Sequence, residues 1–588
     1  MKRYFFSARL LVLYGTIAAA AVPSCALARQ TLADLPATSS TDLKASAGAS
    51  KSAADAVQQG IYLVFPFDND GASPSLDWLG EGLEELTIQR LSAAGQQVYS
   101  HEGRTEELDR SGLPPAARLS RASMLRVAQN MDADFVIFGR FTSDGQALTI
   151  ESRILRISPI RLLPPVRVTG PLDSLMELHL KMLWQLLSAN DHAYPQSLEE
   201  FSKTQRPLRL DAFEHYIRGL LSSDDDVRLR ELREAAQLEP EWPDPDFAIG
   251  DAYYSRRDCD SALPWFAKVP KSHDHYAEAQ FSTGVCKLLM NQPDRAEEVF
   301  TSLQEFLKSN MVSGAELPEL LNNLALALAR DGKTPAAMAD LRRATELDPD
   351  EDDYPFNLGL LALETKDYAG AADAFRDASG REPDNPENRA WMIFSLEKAG
   401  KKTEADEERD TAAETFGPDA LPEVHFDAKK DTLDHLERVN TEMDTTALRL
   451  EIVPAGNSAN AAAAADTPSA HVRRGRQELS AGRVDAAESE FRAALAADAG
   501  SASAHNGLAE IYRRRGQLDD SAKELQASLE IRDSAVVRTT LARVYLEEKK
   551  PDLARTEVER ALKLAPKYAD AKELLQNLQK VKPSGGAQ

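Results

Sequence analysis

Residues 318–351 read PELLNNLALALARDGKTPAAMADLRRATELDPDE and residues 352–385 read DDYPFNLGLLALETKDYAGAADAFRDASGREPDN, one pattern written twice without a gap. The eighth position holds Ala325 then Gly359, the twentieth Ala337 then Ala371, the twenty-fourth Leu341 then Phe375, the twenty-seventh Ala344 then Ala378, and the thirty-second Pro349 then Pro383. Each unit reads as two short amphipathic helices. Small residues stand where paired helices approach, a large apolar residue acts as the packing knob, and proline stops the second helix. Such a hairpin cannot bury its apolar face alone, so neighbours must stack into a curved solenoid. The fold class predicted is an α-solenoid of helical hairpins in two arrays, preceded by a small α/β domain.

The pattern resembles the tetratricopeptide repeat family. A first array is expected over residues 209–420, with about six repeats. An atypical unit opens at Asp211–Gly219, one from Pro243 carries Gly250, Tyr253, Ala262 and Phe266, and one from Ala277 carries Gly284, Ala296 and Phe300. A unit from Pro386 has Arg409 where the knob should stand. The period is lost over 421–467, a linker with a helix expected between Asp431 and Leu450 and an alanine-rich tract ending near Asp466. A second array spans 468–581, three repeats plus a capping helix, with Gly475 and Phe491, Ala509 and Leu525, and Ala542 and Ala554 at the pattern positions. Residues 582–588 are a tail.

Ahead of the repeats, residues 60–190 read as a compact α/β domain. Ile61–Phe65 is a strand closed by Pro66, followed by a helix over Leu76–Ala94 and a short strand at Gln96–Ser100. A helix over Arg121–Met131, strands at Phe135–Phe141 and Ala147–Ile157, an edge strand within Ile160–Val168 and a helix at Leu172–Leu187 complete it. Three ordered blocks, Val64–Asn69, Trp78–Leu83 with Glu85-Leu86, and Ala133–Phe141, resemble the N-terminal domain of the periplasmic protein TolB. The propeller that follows that domain in TolB has no counterpart here, so TolB's own role does not transfer.

The 588 residues exceed what one core organises. A net charge of −25, with pI about 5.0, argues against nucleic acid, which needs a basic surface. Lys2, Arg3 and Arg9, an apolar run from Leu10 to Val22, and Ala26-Leu27-Ala28 read as a signal peptide over 1–28, then a flexible leader over 29–59. The expected location is exported, periplasmic or secreted. The alternative is a lipoprotein tethered to the membrane by acylated Cys25.

No phosphate loop, nucleophile elbow, His-Glu-x-x-His or Cys-x-x-Cys occurs, so the chain reads as no enzyme, without catalytic residues, cofactor or metal. His273-Asp274-His275 reads as a connection between repeats. Cys259 and Cys286 sit in adjoining helices of neighbouring repeats and form either a disulfide or two separate thiols. In peptide-binding tetratricopeptide repeats, asparagine at the sixth position contacts the ligand backbone. Resemblance carries that role onto Asn323 and Asn357, with Asn322 and Phe356 one residue earlier, against an ordinary polar-groove reading. Arg476, Arg513, Arg514 and Arg543 fall on first helices of the second array and make its groove less acidic, with Arg513 and Arg514 as partner-binding candidates. The set lacks a strict carboxylate clamp. The expectation is a non-catalytic scaffold of the bacterial cell envelope that binds protein or peptide partners through its grooves. The alternative is a periplasmic sensor holding a small ligand on the α/β domain.

Overall fold

The computed structural model describes residues 60–71, 73–114, 118–157, 160–190, 197–310, 316–417, 420–426, 436–444, 468–480 and 482–564, with Tyr568, Ala571, Lys572, Leu574, Leu575 and Leu578 beyond them. The stretches read as a signal peptide and a leader, with Cys25, and the alanine-rich tract before Pro468 lie outside the described residues.

Alternation in the first strand sets up the α/β domain. Strand β1 (Ile61–Val64) sends Tyr62 and Val64 to one face and Ile61 and Leu63 to the other, and all four are buried. Next in the chain come β2 (Asp68–Asn69), helix α1 (Trp78–Ala93), β3 (Gln97–Val98), α2 (His101–Arg110), α3 (Arg121–Asn130), β4 (Phe135–Ser143), β5 (Leu148–Arg156), β6 (Arg161–Leu162), β7 (Val166–Gly170) and α4 (Leu175–Asn190). The sheet runs β3-β1-β4-β5-β6, with β2 on β4 and β7 on β5; β1 is parallel to β3 and β4, and β4–β5 is an antiparallel hairpin. Helices α1 and α4 cover the face of Tyr62 and Val64, and α2 and α3 cover the other.

Helix α2 was not expected from the sequence. Among its ten residues, Leu108 alone is a large apolar side chain, so no periodicity announces it. It is held instead by Ser100, whose hydroxyl caps the Gly103 N–H, and by Arg104, which donates to both carboxylate oxygens of Glu84 on α1 at 2.6 and 3.0 Å. Helix α5 (Leu198–Thr204) was also missed; a Ser197/Glu200 capping box starts it and Phe201 anchors it in the core.

The α/β domain and the first repeats share one core. Trp78 of α1 packs on Phe213 with centroids 6.3 Å apart, and Phe213 and Tyr216 pack on Trp242. Gly82 allows this approach, because a Cβ there would lie 3.3 Å from both Phe213 and Trp78. Buried His179 of α4 lies 3.0 Å from an Arg90 guanidinium nitrogen and 2.9 Å from the Thr87 hydroxyl, which itself donates to the Leu83 carbonyl. Arg90 has only protons to give, so His179 Nδ1 accepts and Nε2 donates.

Helical hairpins follow from Leu210 to Phe416 and from Pro468 to Leu564. One contact repeats through them. A Cβ on Gly250, Gly359 or Gly475 would fall 2.7 Å from the ring of Phe266, Phe375 or Phe491, and on Gly284 2.3 Å from Phe300. Where the eighth position is alanine instead, the knob is aliphatic: Ala325 with Leu341, Ala509 with Leu525. Total volume at the helix crossing is thereby conserved. At Arg409 there is no knob; its guanidinium pairs at the surface with Asp406 and Glu397.

The expected helix over Asp431–Leu450 is corrected in its described part. Leu436–Asp444 contains no helix and lies along the first array. Its main chain finds hydrogen-bond partners on the repeats rather than within itself, which removes the reason to coil.

Candidate functional site: the groove of the first array

Asn323 sits on the helix Pro318–Arg330 and Asn357 on the helix Asp353–Glu364, at the same position of consecutive repeats. Both are buried. Asn323 donates to the Asn440 carbonyl at 2.8 Å and accepts the Asn440 N–H at 3.0 Å. Asn357 does the same to Arg438, at 2.8 and 2.9 Å. Each amide thus grips both main-chain groups of one residue, and consecutive repeats grip alternate residues, the period of an extended chain. Later residues of Leu436–Asp444 meet earlier repeats, so this strap runs antiparallel to the array.

Buried Asn322 ties the two grips together. It donates to the Arg438 carbonyl at 3.0 Å and the Asn440 side chain at 2.7 Å, and accepts from Asn357 at 2.8 Å. Farther along, Tyr254 donates to the Thr441 carbonyl at 2.6 Å, and Arg330 holds Glu437 at 2.7 Å. Met443 is buried against the array's apolar core.

One strap side chain is read in full. Arg438 donates to Asp352 at 2.6 Å, Asp353 at 3.2 Å and Asn388 at 2.7 Å, and its guanidinium lies 3.6 Å over the ring of Phe356. Glu351, Asp352 and Asp353 bring carboxylate oxygens within 4.8 Å of one another, and the cation that serves Asp352 and Asp353 is Arg438. Burial raises the Asp353 pKa even against the attraction of Arg438. Burial, with the charges of Asp444 and Asp348, pushes Glu319 up to about 7.

Asn322, Asn323, Phe356 and Asn357 are therefore brought together on one ligand-like segment. Arg513 and Arg514 are not. Arg513 pairs with Glu510 at 2.9 Å, Glu547 at 3.3 Å and Asp350 at 3.7 Å, and Arg514 pairs with Glu510 at 2.7 Å. Arg476 pairs with Asp132 at 2.6 Å, and Arg532 donates to the Gln129 carbonyl, so the second array docks its arginines on the α3–β4 turn of the α/β domain. Sequence reasoning missed Asn388, Asp352, Arg330 and Tyr254, because their roles depend on a partner 50 to 187 residues away.

Cys259 and Cys286 are bonded, with Cα atoms 5.3 Å apart. His273 and His275 pair with Asp244 at 3.2 Å and Glu278 at 2.6 Å, on the wall of a cavity of about 690 Å³ between α1 and the first repeats. Glu85, on the same wall, is pushed up to about 7 by burial and by the charges of Glu102 and Asp244. Glu81, Glu84 and His101 lie within 4.8 Å of one another, but Arg104 already supplies positive charge at Glu84. Among the described residues no helix is long and apolar enough to cross a membrane.

Fold and groove together define a helical-repeat protein whose groove holds an extended chain segment. Residues 319–386 and 472–536 match one tetratricopeptide-repeat family model and residues 535–568 another. No curated protein matches the chain. Among solved structures it is similar to MamA from Desulfovibrio magneticus RS-1, at 23% identity over 30% of this chain and 99% of that one, with a TM-score of 0.28. It is similar to YrrB, described as a tetratricopeptide repeat protein with an unusual peptide-binding site, at 18% identity over 32% and 93%, TM-score 0.27. A repeat protein from Parabacteroides merdae matches at 14% identity over 52% and 98%, TM-score 0.22.

Proposed function

We propose that this chain is an exported, non-catalytic scaffold of the bacterial envelope that recognises protein partners as extended segments in the groove of its first array. The carrying observation is the paired grip of Asn323 and Asn357 on main-chain N–H and C=O groups two residues apart. Main-chain recognition tolerates varied sequence, as a scaffold requires. Export rests on the sequence over 1–28, and the resemblance of residues 60–190 to the TolB N-terminal domain supports the same compartment. The test is in-cell crosslinking and affinity purification, comparing the mature protein with a variant carrying Asn323→Ala and Asn357→Ala. A defined envelope protein recovered by the first and lost by the second supports the reading. Recovery of the same proteins by both removes the groove from it.

A second reading, small-ligand binding, is favoured by the cavity between α1 and the first repeats, where Trp242 and Phe247 supply apolar wall and Glu85, Asp244 and Asp251 supply carboxylates. Burial and the charge of Glu278 push Asp251 up to about 6. Accumulated negative charge suits a cationic ligand. A cation-dependent rise in melting temperature of the full chain, abolished by Glu85→Gln, would favour this reading.

A further inference from the structure

The groove is occupied by the chain itself, held in part through main-chain groups that any extended peptide offers and in part through strap side chains. Asn323, Asn357 and Tyr254 bind only main-chain atoms of residues 438, 440 and 441. Three strap side chains add to this: Arg438 in its pocket of Asp352, Asp353, Asn388 and Phe356, Glu437 on Arg330, and Asn440 on Asn322. The strap contributes no strand to a sheet and no helix to the array. Its departure exposes amides and carboxylates, which water can satisfy, along with the apolar contacts of Leu436, Val439 and Met443. Residues 445–467 separate it from the second array, which begins at Pro468, so leaving the groove does not require unfolding a repeat.

We infer that residues 436–444 are a resident competitor: the first groove accepts from a partner protein an extended segment of the pattern Glu-Arg-x-Asn, and does so as the strap comes away. The inference rests on the scaffold reading of this groove and adds its ligand chemistry and its control. Arginine is required because the pocket offers the carboxylates of Asp352, Asp353 and Glu387, an amide oxygen and a ring face at once, a set that an ammonium cannot fill. Asparagine two residues on meets Asn322, and the acidic residue before the arginine meets Arg330. A tethered strap competes at an effective concentration of roughly 1 mM. For a peptide of intrinsic Kd about 10 μM, that weakens apparent binding about 100-fold.

The experiment uses the mature full-length chain and a fluorescent peptide of sequence LERVNTEMD, read by anisotropy. The strap is released by Arg438→Ala with Asn440→Pro, which removes the guanidinium and the N–H that Asn323 accepts while leaving the groove intact. The expected result is peptide binding about 100-fold tighter than to wild type, lost on adding Asn323→Ala and Asn357→Ala, and at least tenfold weaker for a peptide with alanine in place of its arginine. A released chain that melts like wild type yet binds the peptide no more tightly overturns the inference. So does a released chain that no longer folds, since the strap is then part of the core.

Hydrogen exchange on the unaltered chain gives an independent reading. Excess peptide should speed exchange at the amides of Arg438 and Asn440 and leave the repeat helices protected; continued protection under saturating peptide counts against displacement. A stable dimer exchanging straps between copies also overturns it, because the occupant is then a second copy. If the released chain ignores the peptide but still retains an envelope protein through its groove, the inference falls and the scaffold reading stands. If it binds the peptide and retains no envelope protein, the peptide pattern and the strap's competition stand, and the envelope partner of the scaffold reading falls.

Discussion

Asn357 holds both main-chain groups of Arg438, donating to its carbonyl at 2.8 Å and accepting its N–H at 2.9 Å, while Phe356, the residue before it, lies under the same arginine's guanidinium. One turn of one helix thus contacts both the backbone and the side chain of a single strap residue. The sequence separation is 81, so the grip closes a long loop and must exceed its closure entropy.

Replacing Asn357 by alanine removes its two hydrogen bonds to the strap and its one to Asn322, and leaves the Arg438 carbonyl with the longer bond from Asn322. We expect the strap to loosen by about 1.5 to 3 kcal/mol, seen as tenfold to hundredfold faster hydrogen exchange at the Arg438 amide. The helix Pro318–Arg330 should keep its protection. An unchanged Arg438 exchange rate would show that Asn357 is a bystander.

Gly359 and Phe375 form a size-matched pair, as do Ala325 and Leu341 one repeat earlier. Gly359→Ala places a methyl 2.7 Å from the Phe375 ring, in a fully buried crossing. Overpacking of this kind costs about 1 to 3 kcal/mol. The double variant Gly359→Ala with Phe375→Leu rebuilds the Ala325/Leu341 crossing and should recover more than half of the loss in urea unfolding. Strict additivity of the two single changes would contradict the pairing rule.

That rule is why the repeats were legible. Gly250, Gly284, Gly359 and Gly475 and their phenylalanines are sixteen residues apart, a spacing short enough to see in one chain. The period also places Asn323 and Asn357 together, though not the segment they hold. What escaped was set by contacts at long range. Helix α2 owes its place to the Arg104–Glu84 pair rather than to apolar periodicity, and the merged core of Trp78, Phe213 and Trp242 joins residues from two apparent domains. Residues 436–444 have helix-compatible composition, and distant groove residues, among them Asn323, Asn357, Tyr254 and Arg330, make extension the cheaper state. Arg513 and Arg514 looked free because Glu510, three and four residues before them on the same helix, was not weighed as their partner.

The bond between Cys259 and Cys286 closes a loop of sequence separation 27 between neighbouring repeats. The chain-entropy account assigns such a cross-link about 3 to 4 kcal/mol. Cys259→Ser with Cys286→Ser should lower stability by roughly that amount under non-reducing conditions. Mass mapping of unreduced peptides should find the two cysteines in one fragment; two free thiols would remove the cross-link from the account.

Burial sets the pH dependence. Glu85 and Glu319 are each held up at about 7, against an ordinary value of 4.5. In the folded chain they keep a proton that the unfolded chain has already lost, so their contribution to stability is complete below pH 4.5 and disappears as pH rises through about 7. His179, whose pKa burial and Arg90 depress, acts oppositely, mainly below its ordinary value of 6.5, where the unfolded chain takes up the proton that the folded one refuses. Between about pH 6.5 and 8 the unfolded histidine loses the rest of its proton, and the two carboxyls together outweigh it. Melting temperature should fall across that window, by an amount equivalent to under about 1 kcal/mol for each carboxyl. Glu85→Gln and Glu319→Gln should each flatten the slope, and Glu319→Gln alone should also make exchange at the strap amides less pH-dependent, since Asp444 faces that carboxyl. A melting temperature that rises with pH across the window, in wild type and both variants alike, would show that neither carboxyl holds its proton in the folded chain.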